Sequence, residues 1–295
     1  MENIIIREKS HPDTDIVYNI NGIQNMAPAN NSAREITLNV INPDLPSYKR
    51  AFEKVKAEIT YGNSFLTNLT WKTKLQNQLN LEEIYNKSNS KYKLLFKNKF
   101  VVFSPECFVK ISDNKISSFP MKGTIDASIP HAEKIILEDP KEKAEHNTIV
   151  DLIRNDLSIV AENVQVERFR YPELVKNNNK NLIQISSKIV GNLKSQYLNK
   201  IGSIIFSMLP AGSISGAPKK KTVEIIQEAE LQPRGYYTGI SGYYDGRSLD
   251  SFVLIRFIEK EKEEYFYRSG GGITFMSNLE SEYQETLQKI YVPTD

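Results

Sequence analysis

The stretch DPKEKAEHNTIVDLIRNDL at residues 139–157 decides the fold class, because it predicts a long helix in a chain otherwise rich in strands. Asp139 is a good N-cap, Pro140 suits the first helical position, and Glu142 follows three residues after the cap. Apolar residues then recur at every fourth position, as on the buried face of a helix: Ile149, Ile153 and Leu157.

Strands are predicted on both sides of this helix. Those before it are Phe65–Trp71, Leu94–Phe96, Phe100–Phe103, Cys107–Ile111 and Lys115–Phe119. Those after it are Val164–Phe169, Ile183–Val190, Tyr236–Tyr244, Phe252–Lys260, Tyr265–Tyr267 and Ile273–Phe275. Asp245-Gly246 is a strong hairpin signal between two of them. Further helices are predicted at Ser47–Tyr61, about Ala217–Leu231 and about Leu279–Ile290. Strands grouped with strands, plus a few long helices, predict an α+β fold with mostly antiparallel sheet.

The composition excludes several functions. With 38 basic and 36 acidic residues the net charge is +2, which does not favour nucleic acid or an anionic membrane as partner. The single cysteine, Cys107, excludes an intrachain disulfide and suits a reducing compartment. No apolar run of about 18 residues occurs, so no transmembrane helix is predicted and the chain is interpreted as cytoplasmic. The three histidines lack metal-ligand spacing, so no zinc site is predicted.

Two helices each carry a pair of glutamates three residues apart, namely Glu142 with Glu145 and Glu282 with Glu285. This spacing places both carboxylates of a pair on one helix face, near a helix N-terminus that favours negative charge. Two facing pairs could hold Mg²⁺, which prefers oxygen ligands. On spacing alone, a capping box and solvated helix surfaces explain the same residues equally simply.

Two residues are candidates for acid–base or covalent chemistry. Lys122 follows the predicted strand Lys115–Phe119 and precedes a glycine, so its side chain could project into a cleft and act as a nucleophile when desolvated. Glu106 could act as a general acid if it is shielded from water. From position alone, a surface lysine in a turn and an ordinary turn carboxylate are the simpler interpretations.

Two small-residue segments could bind an anion through backbone N–H groups. The segment 211–219 opens a predicted helix, and the glycine run 270–272 lies at a predicted strand end. A capped turn and a bulge are the alternatives. Arg256 lies in the apolar predicted strand Phe252–Lys260, where a charge needs a carboxylate partner or an outward-facing position.

Together these segments resemble the chorismate-binding enzyme family over roughly residue 51 to the C-terminus. The resemblance rests on motifs in the order of the family: SPE at 104–106, PMKGT at 120–124, AEH and VDLIRNDL within 144–157, GSISGAPK at 212–219, RGYYTGISGY at 234–243, IR at 255–256, and the glycine run followed by SEYQE at 281–285.

The resemblance implies the fold of anthranilate synthase component I, with two stacked, largely antiparallel sheets flanked by helices. It implies one catalytic domain over residues 1–295, with a shortened N-terminal region at about 1–46. It also implies Mg²⁺ bound by Glu145 and Glu285, with Glu142 and Glu282 supporting through water. Chorismate is expected to be bound by Ser213, Tyr237, Arg256, Lys219 and the backbone of Gly270 and Gly272.

Lys122 discriminates within the family, because the resemblance associates lysine here with aminodeoxychorismate synthases and alanine with anthranilate synthases. The implied reaction is transaminase-class: Lys122 adds to C2, Glu106 protonates the leaving C4 hydroxyl, and ammonia replaces the lysine. Ammonia is expected from a separate glutamine amidotransferase subunit. Gln184 stands where the family usually has histidine. Anthranilate synthesis, isochorismate synthesis and non-catalytic chorismate binding remain alternatives.

Overall fold

The computed structural model describes residues 4–7, 15–27, 36–41, 44–76, 79–175 and 181–294. The chain divides into two compact units. The first unit takes residues 1–105, 216–241 and 253–295, and the second unit takes residues 106–215 and 242–252. The expectation of a single catalytic domain stays a prediction.

The first unit contains an eight-stranded antiparallel sheet. In sheet order its strands are β11 (Gly216–Ala217), β3 (Leu66–Leu75), β15 (Glu264–Thr274), β14 (Phe257–Glu261), β5 (Phe100–Ser104), β4 (Tyr92–Phe96), β1 (Ile16–Ile20) and β2 (Ile23–Gln24). Its helices are α1 (Leu45–Thr60), α2 (Leu81–Lys87), α6 (Lys219–Ala229) and α7 (Leu279–Gln288).

Helix α1 is stabilised by its N-cap and by the burial of its apolar face. Asp44 caps it by accepting a hydrogen bond from the Ser47 backbone N–H at 3.0 Å. Its apolar face packs with α6, α7 and the sheet in one buried cluster, which includes Tyr48, Phe52, Val55, Leu69, Ile225, Ile273 and Tyr283. Burial of each large apolar side chain contributes roughly 1.5–3 kcal/mol.

The second sheet has seven strands. The path runs β12 (Ile240–Tyr244), β13 (Leu249–Val253), β6 (Cys107–Ser112), β7 (Lys115–Ser118), β10 (Leu182–Leu193) and β8 (Met121–Asp126), and β9 (Ala161–Val175) also pairs with β10. The helices of the second unit are α3 (Ala132–Glu138), α4 (Pro140–Val160) and α5 (Ile201–Met208), with short 3₁₀ turns at Ser195–Tyr197 and Gly212–Ile214.

Several predicted features are confirmed. The α+β class with two largely antiparallel sheets is present. Helix α4 begins at Pro140, and the carboxylate of its N-cap, Asp139, accepts from the Glu142 backbone N–H at 2.9 Å. Helix α7 begins at Leu279, as predicted. The Asp245-Gly246 turn joins β12 to β13, and the Asp245 carboxylate accepts two backbone N–H groups within it.

Other predicted features are wrong. Lys122 follows β7 as predicted, but it lies inside the next strand, β8, so the alternative of a surface lysine in a turn is wrong. The predicted strand Phe252–Lys260 is two strands, β13 and β14, and Arg256 lies between them at a φ of 55°. The glycine run 270–272 lies inside β15 rather than at a strand end. The predicted strand from Tyr236 starts only at Ile240.

Candidate functional site

Lys122 occupies a bulge where β8 pairs with β10. Thr124 lies opposite Gln184, and Met121 lies opposite Ser186. Between these pairs, Lys122 and Gly123 face the single residue Ile185. An extra residue in one strand bends the chain locally and redirects side chains. No local sequence pattern predicts this bulge, because the pairing partner lies about sixty residues further along the chain.

The ammonium of Lys122 pairs with a carboxylate of α4. Its Nζ lies 2.7 Å from Glu145 Oε2, and the two side chains are 33% and 23% exposed. Lys141 Nζ approaches the other oxygen of Glu145 at 3.8 Å from a far more exposed position. Lys122 is therefore held in a half-buried environment, where its charge is balanced by a neighbouring helix.

Glu142 lies three residues before Glu145 on α4, and one of its carboxylate oxygens is buried. That oxygen, Oε2, has no hydrogen-bond partner among the residues that the structure describes. Burial raises the pKa of the Glu142 carboxyl, and the charges of Glu145 and Asp139 add to this, while Lys122 opposes it. A Cβ at Gly123, where φ is +91°, would lie 2.8 Å from this oxygen. Glycine at 123 thus leaves space that a cation or donor could use.

His146 is a residue whose position the sequence did not reveal. Its side chain is fully buried, with Nε2 2.7 Å from Ser187 Oγ and Nδ1 3.4 Å from the Lys122 carbonyl oxygen. Burial lowers the pKa of the imidazole, so the neutral form is favoured. Its position four residues after Glu142 was the available signal, since i,i+4 residues share a helix face.

Glu106 and Ser213 meet in the second unit. Ser213 Oγ donates a hydrogen bond of 2.5 Å to Glu106 Oε1. The 3₁₀ turn carrying Ser213 is anchored on α4, because the Gly212 N–H donates to the buried Asp156 carboxylate at 3.0 Å. A Cβ at Gly212 would lie 2.8 Å from that carboxylate, so the close approach requires glycine.

The second carboxylate pair converges on a glycine in the first unit. A Cβ at Gly271 would lie 3.4 Å from Glu282 Oε2 and 3.7 Å from Glu285 Oε1. Lys289 joins this cluster, since its Nζ lies 2.6 Å from Glu285 Oε1 and donates to the Gly270 carbonyl at 2.7 Å. Helix α7 therefore presents both glutamates to the bare backbone of β15.

Strand packing requires glycine at 270 and leaves little space at Gly272. A Cβ at Gly270 would lie 2.5 Å from the Leu69 carbonyl oxygen, and one at Gly272 would lie 2.9 Å from Leu66 Cδ1. Both glycines are paired with β3, opposite Thr70 and Asn68. The glycine run, which suggested an anion-binding backbone, is thus explained in part by close packing against β3.

The remaining predicted binding residues are in the first unit. Arg256 donates to the Lys289 carbonyl at 3.3 Å and lies 5.3 Å from the Tyr291 ring. No carboxylate lies within ion-pair distance of its guanidinium in the described part of the chain. Tyr237 is buried edge-on against Phe257, and burial raises the pKa of its phenol to about 12. Lys219 is the first residue of α6.

The carboxylates suit a magnesium ion by their chemistry. Oxygen donors are what Mg²⁺ prefers, and the buried Glu142 Oε2 without a partner is an atom that a cation would satisfy. Glu142 and Glu145 lie in the second unit and Glu282 and Glu285 in the first, and no group of three or more metal-ligating side chains occurs among the described residues. Lysines at present balance Glu145 and Glu285.

Residues 6–295 match the chorismate binding enzyme family, and the chain belongs to this family. It is 54% identical over 247 residues to a PabA-like protein of Pasteurella multocida, covering 84% of this chain and 76% of that protein. A PabA-like protein of Haemophilus influenzae is 50% identical over 266 residues, covering 90% of this chain and 81% of that protein. Both are described as uncharacterized. Anthranilate synthase component 1 of Aquifex aeolicus is 31% identical over 278 residues, covering 85% of this chain. This chain spans only 55% of the length of the Aquifex protein.

The fold is shared with solved structures. Anthranilate synthase component I from Streptococcus pneumoniae gives a TM-score of 0.72 at 24% identity, covering 88% of this chain and 60% of that one. The menaquinone-specific isochorismate synthase from Escherichia coli gives 0.71 at 18% identity, covering 88% and 63%. The predicted fold is therefore confirmed. Among the described residues, no helix combines the length and apolar character needed to span a bilayer.

Proposed function

We propose that this protein is the chorismate-converting component of an aminodeoxychorismate synthase, which makes 4-amino-4-deoxychorismate for 4-aminobenzoate and folate synthesis. The observation that carries the proposal is the half-buried Lys122, redirected by a bulge and paired with Glu145 at 2.7 Å. Membership of the family and the high identity to two PabA-like proteins support it.

Lys122 is proposed as the nucleophile. In its neutral form, Nζ bonds to C2 of chorismate, both conjugated ring double bonds shift, and the bond from C4 to its hydroxyl oxygen breaks. Ammonia then bonds to C4, both double bonds shift back, and the C2–Nζ bond breaks to release Lys122. The net change consumes chorismate and ammonia and releases water. Splitting one difficult displacement into two easier steps is the advantage of a covalent intermediate.

Glu106 is proposed as the acid for the first step. The C4 hydroxyl leaves as water only if a proton reaches its oxygen, and a carboxylic acid within hydrogen-bond reach can supply it. The hydroxyl of Ser213, 2.5 Å from Glu106, fixes the orientation of that carboxyl group. Glu106 and Ser213 therefore act as a pair, one donating the proton and the other positioning the donor.

Binding of the acidic substrate is assigned to the residues that the sequence motifs indicated. We expect Arg256 to take a carboxylate as a bidentate donor, with Tyr237, Lys219 and the backbone of Gly270 and Gly272 completing recognition. Ser213 is also proposed to contact substrate.

The glutamates Glu142, Glu145, Glu282 and Glu285 are proposed as the carboxylates that serve Mg²⁺. When bound, the ion would neutralise a chorismate carboxylate and fix its orientation. The lysines that now pair with Glu145 and Glu285 would have to give up those contacts.

The ammonia is proposed to come from a glutamine amidotransferase subunit, and the protein is proposed to act in the cytoplasm. Neither nucleic acid nor a membrane is required for the reaction. The small net charge of the chain, +2, gives no general attraction to nucleic acid or to anionic membranes.

Anthranilate synthesis is the second candidate, because several relatives at 30–31% identity are named anthranilate synthase component 1. Both reactions start from chorismate and ammonia, but they place nitrogen at different ring carbons. The lysine at 122 favours the first candidate, since a nucleophilic amine at C2 blocks the position where ammonia would add to form anthranilate.

The test is product identification with pure protein, chorismate, Mg²⁺ and an ammonium salt, using mass spectrometry and anthranilate fluorescence. The variant K122M should lose formation of 4-amino-4-deoxychorismate. The control K141M removes the exposed lysine 3.8 Å from Glu145 and should retain activity. Fluorescent anthranilate as the main product would refute the proposal. Bound but unconverted chorismate would indicate a non-catalytic binder, and isochorismate would indicate the third candidate activity.

A further inference from the structure

Resting on the function proposed above, we propose that His146 is a positioning residue that holds the Lys122 bulge through the Lys122 carbonyl. His146 is fully buried in α4, and its two ring nitrogens make two different contacts. Nε2 lies 2.7 Å from Ser187 Oγ, and Nδ1 lies 3.4 Å from the Lys122 carbonyl oxygen. Ser187 belongs to β10, which is the strand paired with β8.

The hydrogen-bond directions in this chain of groups are set at its two ends, because the Lys122 carbonyl can only accept and the Arg170 N–H can only donate. The Arg170 N–H donates to Ser187 Oγ at 2.9 Å. The serine hydroxyl then has its own proton to donate, and His146 Nε2 at 2.7 Å is the acceptor. A neutral imidazole that accepts at Nε2 carries its proton on Nδ1, which faces the Lys122 carbonyl. The Nδ1–H of His146 therefore donates to the carbonyl oxygen of Lys122.

One turn of α4 contacts both the side-chain ammonium and the backbone carbonyl of Lys122. Glu145 pairs with the ammonium at 2.7 Å, and the next residue, His146, contacts the carbonyl. Lys122 lies where β8 departs from regular pairing with β10, so its backbone depends on partners outside the ladder. Ser187 also fixes the backbone just before the bulge, because its N–H donates to the Pro120 carbonyl at 2.9 Å.

A purely packing role is the competing explanation. The imidazole meets the Phe169 ring edge-on at 5.9 Å, and a buried histidine can serve only to fill space. The two roles separate in a matched pair of variants. In H146N the side-chain amide can donate from near the Nδ1 position, whereas in H146Q the amide reaches toward Ser187 and not the carbonyl. Both variants leave a buried amide of similar polarity.

The experiment measures kcat and KM for chorismate with ammonium as nitrogen source, together with the acetylation rate of Lys122 relative to Lys141 by mass spectrometry. We expect H146Q to lower kcat by at least about tenfold, with KM within about twofold, because a small misplacement of a reacting group costs rate. H146N should restore kcat to within about threefold of the unchanged protein. Acetylation of Lys122 should change in H146Q and stay close to normal in H146N.

Equal kcat and equal Lys122 acetylation in the two variants would overturn the proposal and assign His146 to packing. If neither variant folds, S187A keeps the imidazole and removes its proton donor. A severalfold loss of kcat with altered Lys122 acetylation then supports the proposal, and unchanged values overturn it. Absence of 4-amino-4-deoxychorismate with the unchanged protein would refute the proposed function separately, while the acetylation comparison would still decide the role of His146.

Discussion

Replacing Gly123 with alanine is the most direct test of how tightly the Lys122 bulge fits against α4. At Gly123 φ is +91°, and a new Cβ would lie 2.8 Å from Glu142 Oε2 and 3.3 Å from Ile136 Cδ1. The positive φ costs roughly 1–2 kcal/mol for an L residue. Displacing the buried carboxylate adds about 1–3 kcal/mol, as expected for overpacking. G123A should therefore destabilise the protein by about 2–5 kcal/mol.

Gly246 provides the matched control. It belongs to the same unit, its φ is +96°, and a Cβ there would meet nothing within 4 Å. G246A should thus show the backbone cost of about 1–2 kcal/mol alone. The free energy of unfolding would be measured by denaturant titration for both variants, each with and without E142A.

In the E142A background the difference between G123A and G246A should fall to within about 0.5 kcal/mol, since the carboxylate that causes it is gone. Equal penalties for the two glycine variants in the unchanged background would refute the reasoning. A difference that persists in E142A would show that the penalty arises from backbone or Ile136 contacts instead.

Three further predictions concern charge and binding. Burial raises the pKa of the Glu142 carboxyl above its ordinary 4.5, so the folded state favours the protonated form. The protonated carboxyl stabilises the fold fully below pH 4.5, and this stabilisation is lost as the pH rises through the folded-state pKa. E142Q should therefore increase the free energy of unfolding at neutral pH in the absence of divalent ions. The control E138Q changes a side chain that is 68% exposed and should leave the free energy of unfolding unchanged. Denaturant titrations at pH 4.5 and 7.5 test this. S213A removes the hydroxyl that donates to Glu106 and should lower kcat by roughly ten- to a hundredfold, the equivalent of about 1.5–3 kcal/mol, with a smaller rise in KM from the lost substrate contact; a larger effect on KM than on kcat would contradict the positioning of Glu106 by Ser213. R256K should raise KM for chorismate by about tenfold through loss of the bidentate fork, and an unchanged KM would remove Arg256 from the binding site.

Local signals in the sequence predicted several elements well. The cap at Asp139 and the start at Leu279 locate α4 and α7, because helix N-termini are specified by neighbouring residues. The Asp245-Gly246 turn locates one hairpin for the same reason. These features depend on contacts within a few residues, which a linear pattern records directly.

Features set by distant pairing were not predicted. The bulge at Lys122 depends on register with β10, and the kink at Arg256 interrupts an apolar run that looks like one strand. The ordered motifs indicated the family and the candidate residues, but not which atoms they contact. In particular, they did not indicate that Gly270 is required by the backbone of β3.

The sequence by itself determined the α+β class, the family and the identity of Lys122 and the glutamates as candidates, because residue type and order are sufficient for these. Only the tertiary structure decided that Glu145 balances Lys122, that Glu142 keeps a buried oxygen without a partner, and that His146 reaches the Lys122 carbonyl. Those relations arise where α4 packs against β8 and β10. Burial and distance between segments far apart in the chain are properties of packing, and periodicity along one segment carries no record of them.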